Sequence, residues 1–333
     1  GELRGDLLQI TDNASADLRE VYNFNISRDN QYASPVTFYK LIGACNNLIR
    51  KLETEHPEVL DKNEPISNYD RLYGEVLTMR AWAYFNAVRI YGEIPYIYKS
   101  LTGVEEIEEY VNSGAQYTDS IDIIFAPDGY HNDTIRDTTI TLERRFLDQA
   151  AVIDTFTTQL ENDIKAVGVK HNIHNDDITW NATVWNNYSY HTLLGQMYFY
   201  DGNYTKAMEH FRPILYNTSS ESENIKFGLD NKFAYSDWRN IFTSIDPDEH
   251  IYTIWFDKSY QQQNRLQYMF SNRASNEYMM KPTESCVRNW ETIWMGTQVE
   301  YAGPEEPYDS TEVIRPGIPG DFFRGYGVSY AYY

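Results

Sequence analysis

The chain has 333 residues, 42% of them hydrophobic, which is enough for one large or two modest cores. Its 28 basic and 49 acidic residues leave a formal charge of −21, which argues against nucleic acid as a partner because phosphate neutralisation needs clustered Lys and Arg. Cys45 and Cys286, the only cysteines, have no metal-ligand or redox spacing, and no run of about eighteen apolar residues is present to span a membrane.

Residues 1–34 are polar, with scattered aromatics at Tyr22, Phe24 and Tyr32. A first helix is predicted over Pro35–Leu52, with Ser34 as its cap and Pro35 at the first helical position. Its apolar stripe is Phe38, Leu41, Ile42, Cys45, Leu48, Ile49 and Leu52, which makes Cys45 a small core residue. The next helix lies within Tyr69–Tyr98, with Leu72, Val76, Met79, Ala83, Ala87 and Ile90 at helical spacing. Ser67 and Asp70 resemble a capping box at its start, and Gly92 and Pro95 stop it. Residues 99–141 read as an irregular excursion with short extended pieces. A helix is predicted over Leu142–Val167, with Phe146, Ala150, Ile153, Leu160 and Ile164 inward.

Residues Tyr188–Leu215 read as helix, tight turn, helix. Leu194, Gly195 and Tyr198 share a face of the first helix, Asp201-Gly202-Asn203 forms the turn, and Tyr204, Ala207 and Phe211 follow on the second. The small Gly195 and Ala207 let two antiparallel helices approach while Tyr198, Tyr204 and Phe211 fill the space around them, which is the logic of a tetratricopeptide unit. One unit cannot bury its own apolar face, so it needs the preceding helices as partners. After residue 219 helical periodicity fades, and one strand is predicted at His250–Asp257. The expected fold is therefore mainly α. Tetratricopeptide-like helical pairs over roughly 35–218 form a scaffold. An irregular, loop-rich region with short helices and a few short strands, roughly 219–333 with contributions from 1–34 and 99–141, packs on it as part of a single domain. The opening GELRGD and closing GYGVSYAYY read as the ends of a mature fragment or of the ordered part of a longer protein.

The motifs carry a family resemblance. Tyr73-Gly74-Glu75-Val76, Arg80-Ala81-Trp82-Ala83-Tyr84-Phe85 and Val88-Arg89-Ile90-Tyr91-Gly92-Glu93-Ile94-Pro95 resemble the signature helix of the SusD/RagB family. Leu3-Arg4-Gly5-Asp6, followed by Phe38-Tyr39, Ile42 and Cys45-Asn46-Asn47, is similar to that family's early helix. The unit at Tyr188–Leu215 sits where the family has one, and Lys281-Pro282-Thr283 with Gly320-Asp321-Phe322-Phe323-Arg324-Gly325-Tyr326-Gly327 is similar to a later family stretch. The resemblance implies an outer-membrane lipoprotein of Bacteroidetes, surface-exposed and lipid-anchored, that binds a glycan or other nutrient. It also implies a SusC-type TonB-dependent transporter as partner, and neither catalysis nor a cofactor. The lipidated cysteine of the family is not in this sequence, so anchoring is implied by the family alone.

The chain holds 29 Tyr, 7 Trp and 15 Phe, more than helix packing absorbs. Flat faces with polar tips suit sugar rings, which have an apolar C–H face rimmed by hydroxyls. No family motif fixes the contact positions, so chemistry selects them: aromatics in polar, non-periodic segments beside hydrogen-bonding neighbours. Three groups result. The first is Tyr22-Asn23-Phe24-Asn25 with Asn30-Gln31-Tyr32, the second Tyr235-Ser236-Asp237-Trp238-Arg239-Asn240, and the third Trp290 and Trp294 with Arg288 and Asn289; from them Tyr22, Asn25, Tyr32, Tyr235, Trp238, Arg239, Trp290 and Trp294 are selected as ligand contacts. A half-buried packing role competes with ligand contact for each Trp. Trp82, Trp185 and Trp255 read as packing residues. Arg4-Gly5-Asp6 reads as structural rather than adhesive. His171 and His174 lie in an Asn/Asp-rich loop where turn formation explains the composition better than a metal. No carboxylate pair, nucleophile elbow or phosphate loop stands out, so no catalytic residue, metal or cofactor is assigned. Two other readings stay open: a tetratricopeptide scaffold for protein–protein interaction, and an all-α glycoside hydrolase.

Overall fold

A computed structural model describes residues 2–56, 68–112, 115–125, 132–142, 146–164, 184–215, 250–257, 259, 261, 262, 264–287, 297–301 and 310–314. In chain order the elements begin with a 3-10 turn at Glu2–Arg4, β1 (Leu8–Ile10), α1 (Ala16–Tyr22) and a second 3-10 turn at Gln31–Ala33. There follow α2 (Val36–Glu55), α3 (Asn68–Tyr91), β2 (Ile94–Pro95), α4 (Val104–Asn112), β3 (Ala115–Phe125), β4 (Asn132–Leu142), β5 (Phe146–Leu147) and α5 (Gln149–Asp163). The chain continues with α6 (Asn187–Tyr200), α7 (Tyr204–Leu215), α8 (Leu266–Phe270), β6 (Met280–Pro282), β7 (Thr297–Tyr301) and β8 (Ser310–Ile314). Helices dominate, and the strands form four two-stranded antiparallel ladders among the described residues: β1–β6, β2–β5, β3–β4 and β7–β8. Two compact units emerge, one from Gly1–Ser34, Leu229–Ser244 and Ile254–Tyr333, the other from Pro35–Gly228 and Ile245–Thr253.

The second unit is the helical one, and α3 is its axis. Val76, Leu77, Ala81, Ala83, Tyr84, Phe85, Ala87 and Val88 are all buried, so α3 is enclosed on most of its circumference. A single stripe ending at Leu72 and Ile90 was the expectation, yet those two are 37% and 62% exposed. The alanines explain the enclosure, because they let α2 and α5 approach from either side. Gly92, at φ +81°, ends the helix in a conformation that a Cβ disfavours.

Several boundaries differ from expectation. Pro35, not Ser34, occupies the N-cap position of α2, without a side-chain cap bond. Ser67 lies outside the described residues. Helix α5 starts at Gln149, where Asp148 accepts a 2.8 Å hydrogen bond from the Ala151 amide. Phe146 pairs instead with Pro95 in the β2–β5 ladder, which leaves its side chain exposed, as is Ala150. Val152, Ile153, Phe156 and Leu160 form the buried face in their place. The 99–141 excursion contains α4 and an eleven-residue β3–β4 ladder running in register from Ala115↔Leu142 to Phe125↔Asn132. Asp and Ser among the Thr and Ile of this stretch mask a strand that long in the sequence.

The helical pair α6–α7 forms as predicted, with Gly202 at φ +81° in the turn. A Cβ on Gly195 would fall 2.5 Å from the Phe211 ring, so the close approach does require glycine. Tyr204 does not fill the interface; it is 62% exposed. Residues 250–257 pair in no ladder, contrary to the predicted strand. The segment is held by side chains instead. Asn186, the N-cap of α6, donates to the Ile251 carbonyl at 3.0 Å, and Tyr252 stacks on buried Trp185 at 4.5 Å.

In the first unit, β1 and β6 join residues 8–10 to 280–282. Leu3, Ala14, Leu18, Met279 and Met280 form its small buried cluster, with Tyr22 and Val21 packed against it.

Candidate ligand-binding surface

The 23–33 segment of the first unit, a loop that ends in the 3-10 turn Gln31–Ala33, is built around one carboxylate. Glu20, on α1, accepts from the Ser27 amide at 2.9 Å, the Ser27 hydroxyl at 2.6 Å and the Asn30 amide nitrogen at 2.9 Å. The Asn30 bond, then those of Ser27, hold the Glu20 carboxyl down at about 2, because each stabilises its charged form. Asn30 is buried, donates also to the Asp17 carbonyl at 2.8 Å, and accepts from the Tyr32 amide at 3.0 Å. The loop therefore carries its own polar core and can hold side chains outward in fixed positions. On the other side of α1, Arg19 donates to the carbonyls of Thr11, Asp12 and Ala14, which fixes the approach to the helix.

Among the sequence-selected residues here, Tyr32 is 38% exposed and Asn25 is exposed. Tyr22 is the last residue of α1, is half-buried and packs on the Leu3–Leu18 cluster. Tyr235, Trp238, Arg239, Trp290 and Trp294 lie outside the described residues, as do His171 and His174. Phe24, which lies in the first candidate group but was not selected from it, is the most exposed aromatic of the loop. It is 63% exposed, sits at φ 57°, and has the Arg4 guanidinium 4.6 Å above its ring. Positive φ at a bulky residue costs energy and is held only where the surroundings enforce it. Its asparagine neighbours, Asn23 and Asn25, were the available signal for such a turn. Chemically, Arg4, Phe24, Asn25 and Tyr32 offer aromatic faces, a cation and amide donors, the repertoire of stacking with hydrogen bonding. Among the described residues no group of three or more His, Cys, Asp and Glu side chains is arranged to hold a metal.

In the helical unit the polar groups serve structure. Buried Arg80 donates to Asn46 Oδ1 at 2.8 Å and Gln159 Oε1 at 2.9 Å, tying α3 to α2 and α5. Asn46 in turn donates to the carbonyls of Ile97 and Lys99, and the Tyr84 hydroxyl donates to Ile97 O at 2.9 Å. The segment after the signature helix is thus pinned from beneath. At the α6–α7 turn, Phe199, Tyr204 and Met208 are each more than half exposed, and Phe199 and Tyr204 meet edge to face. Beside them the Arg89 guanidinium lies 4.5 Å over the Tyr200 ring.

The comparisons agree with this architecture. Residues 8–118 match a family model, SusD-like, described as starch-binding associating with outer membrane. A SusD superfamily protein from Bacteroides thetaiotaomicron is similar at TM-score 0.53 and 17% identity, over 86% of this chain and 54% of that one. A SusD-like carbohydrate-binding protein from Bacteroides fragilis is similar at TM-score 0.56 and 16% identity, over 91% and 48%. Surface glycan-binding protein A from Bacteroides uniformis is similar at TM-score 0.55 and 14% identity, over 86% and 54%. The chain spans about half the length of these structures. No curated protein matches it significantly. The chain is thus similar to the SusD-like family model over residues 8–118, and it shares its fold with these structures. No helix among the described residues is long and apolar enough to cross a membrane.

Proposed function

We propose that this chain is a surface glycan- or nutrient-binding protein of the outer membrane that delivers its ligand to a SusC-type TonB-dependent transporter. The family match over residues 8–118 carries the reading. The binding descriptions of similar structures and the exposed Phe24 and Tyr32 support it. In this reading the chain acts as one domain. The helices over 35–218 are the scaffold, and the loop-rich remainder, with 1–34, faces the ligand. The protein binds rather than catalyses, and a lipid anchor holds it at the cell surface. The exposed apolar side chains at the α6–α7 turn favour the helical face as the surface that meets the transporter.

Calorimetry or affinity electrophoresis against a glycan panel tests the proposal. Binding to at least one glycan class is expected. Retention of no glycan, with another nutrient class bound, redirects the assignment to that class. Trp238→Ala or Trp290→Ala is expected to weaken binding by ~1–3 kcal/mol where base-like stacking carries affinity. Unchanged affinity across all the named loop aromatics would remove this set as the site. Co-purification with the transporter, lost on charging the helical face by Tyr204→Glu, tests the partnership.

A further inference from the structure

Phe24 occupies a backbone position that favours glycine. Helix α1 ends in a Schellman turn: the Phe24 N–H donates to the Val21 carbonyl at 3.3 Å and the Asn25 N–H to the Glu20 carbonyl at 3.0 Å. Phe24 is the left-handed residue of that turn, at φ 57°, where a Cβ is disfavoured. Burial does not offset the strain, since the side chain is 63% exposed. Over its ring lies the Arg4 guanidinium, 4.6 Å from the centroid. Both residues stand on one small core: Leu3, next to Arg4, and Leu18 of α1 belong to the same buried cluster. Arg50, Arg71 and Arg265 each pair with a glutamate. Arg4 forms no side-chain hydrogen bond or ion pair among the described residues, in a chain with 49 acidic groups.

We infer that Arg4 and Phe24 form a recognition site for a carboxylate-bearing sugar, a hexuronate of an acidic glycan; the inference rests on the glycan-binding reading proposed above. A guanidinium lying over an aromatic ring uses its face on that ring and keeps its N–H edge in water. That edge is a planar fork that matches the two oxygens of a carboxylate. The ring holds the fork in place, so less side-chain freedom is lost when the anion binds. With one face under the guanidinium and most of its surface exposed, Phe24 keeps its opposite face open to the C–H face of an adjoining sugar. Exposed Asn25, next in the chain, supplies amide groups for hydroxyls. Backbone strain at an exposed, bulky residue is the mark of a side chain kept for contact rather than for stability. Starch, named in the family description, is a neutral glucan and offers such a fork no charge to pair with, so the arginine sets this chain's substrate class apart. The net charge of −21 is screened beyond about 8 Å at physiological salt, and the anion is therefore read locally.

The test is calorimetry of the full chain at pH 7 with galacturonate oligosaccharides, with their methyl esters, which keep the sugars and remove the charge, and with maltooligosaccharides. The acid is expected to bind roughly 10–100-fold more tightly than the ester, and R4M should abolish that preference. F24G should weaken binding of the acid roughly tenfold while its melting temperature stays equal or rises, because glycine relieves the left-handed strain. A lower melting temperature in F24G makes Phe24 a structural residue and overturns its role. Equal binding of acid and ester, a preference that survives R4M, or binding confined to maltooligosaccharides overturns the inference and leaves glycan binding standing. Binding to none of the three overturns it together with the reading beneath it. Should R4M not fold, the comparison of acid with ester on the wild-type protein decides alone.

Discussion

The helical unit and the 2–34 segment are held together in opposite ways. The helices share one large buried cluster running from Ile42 on α2 through Tyr84 and Phe85 on α3 and Phe156 on α5 to Leu194 and Met197 on α6. The 2–34 segment has a handful of buried apolar residues and is tied instead by single polar residues, Arg19, Glu20 and Asn30, each bonding several loop groups. Burial of apolar area is non-directional and summed over many residues, so it makes a rigid frame. Directed hydrogen bonds hold a loop in one shape while leaving its aromatics outside, which suits a recognition surface.

The contrast can be broken at either end. Phe156, fully buried and stacked on Tyr84 at 4.8 Å, sits at the centre of the frame. Phe156→Ala is expected to cost about 3–5 kcal/mol, read as a lower urea midpoint with helical content lost cooperatively. Arg80→Leu leaves Asn46 and Gln159 without their buried donor and is expected to cost ~2–3 kcal/mol in the same assay. Gly195→Ala gains helix propensity of about 1 kcal/mol but forces the Phe211 ring aside; a net loss of about 1–2 kcal/mol is expected. A stabilised Gly195→Ala protein would show that the α6–α7 pair has slack. Asn30→Ala should leave global unfolding within ~1 kcal/mol of wild type while amide exchange across residues 27–33 rises. Equal loss in both readouts would erase the distinction between frame and loop.

The smallest effect concerns pH. His191 has a folded pKa near 4 against 6.5 unfolded, so the unfolded chain takes up its proton first as pH falls. Its stabilising contribution is complete above about pH 6.5 and lost progressively towards pH 4. A melting temperature that drops by a few degrees between pH 7 and 5 is expected, and H191N should flatten that slope. Glu20 titrates in a lower window: with its carboxyl held near 2, its contribution is present above about pH 4.5 and lost as pH falls towards 2. Acid therefore reaches the helical pair before it reaches the loop.

Much of the frame was legible in the sequence because its signals are local. The stop at Gly92, the turn at Asp201-Gly202-Asn203 and the small residue at Gly195 are each a backbone or steric requirement met by one residue type. The start of α5 was misread because apolar periodicity continued through Phe146, while pairing with Pro95 made that residue strand. The predicted strand at 250–257 failed because alternation shows a capacity to pair, and pairing needs a neighbouring edge. Of the surface loop, composition marked the segment holding Tyr22, Phe24, Asn25 and Tyr32, but not that Tyr22 packs inward while Phe24 stands exposed.

What the sequence determined by itself was the motifs that carry the family resemblance, the helical pairs and the aromatic richness, since each rests on residues close together in the chain. Only the tertiary structure joined Arg4 to Phe24, Leu8–Ile10 to Met280–Pro282, and His191 to His210 with Glu161 behind them. Those contacts depend on how elements are packed side by side, and chain closure between residues tens or hundreds of positions apart leaves no periodic trace in a single sequence.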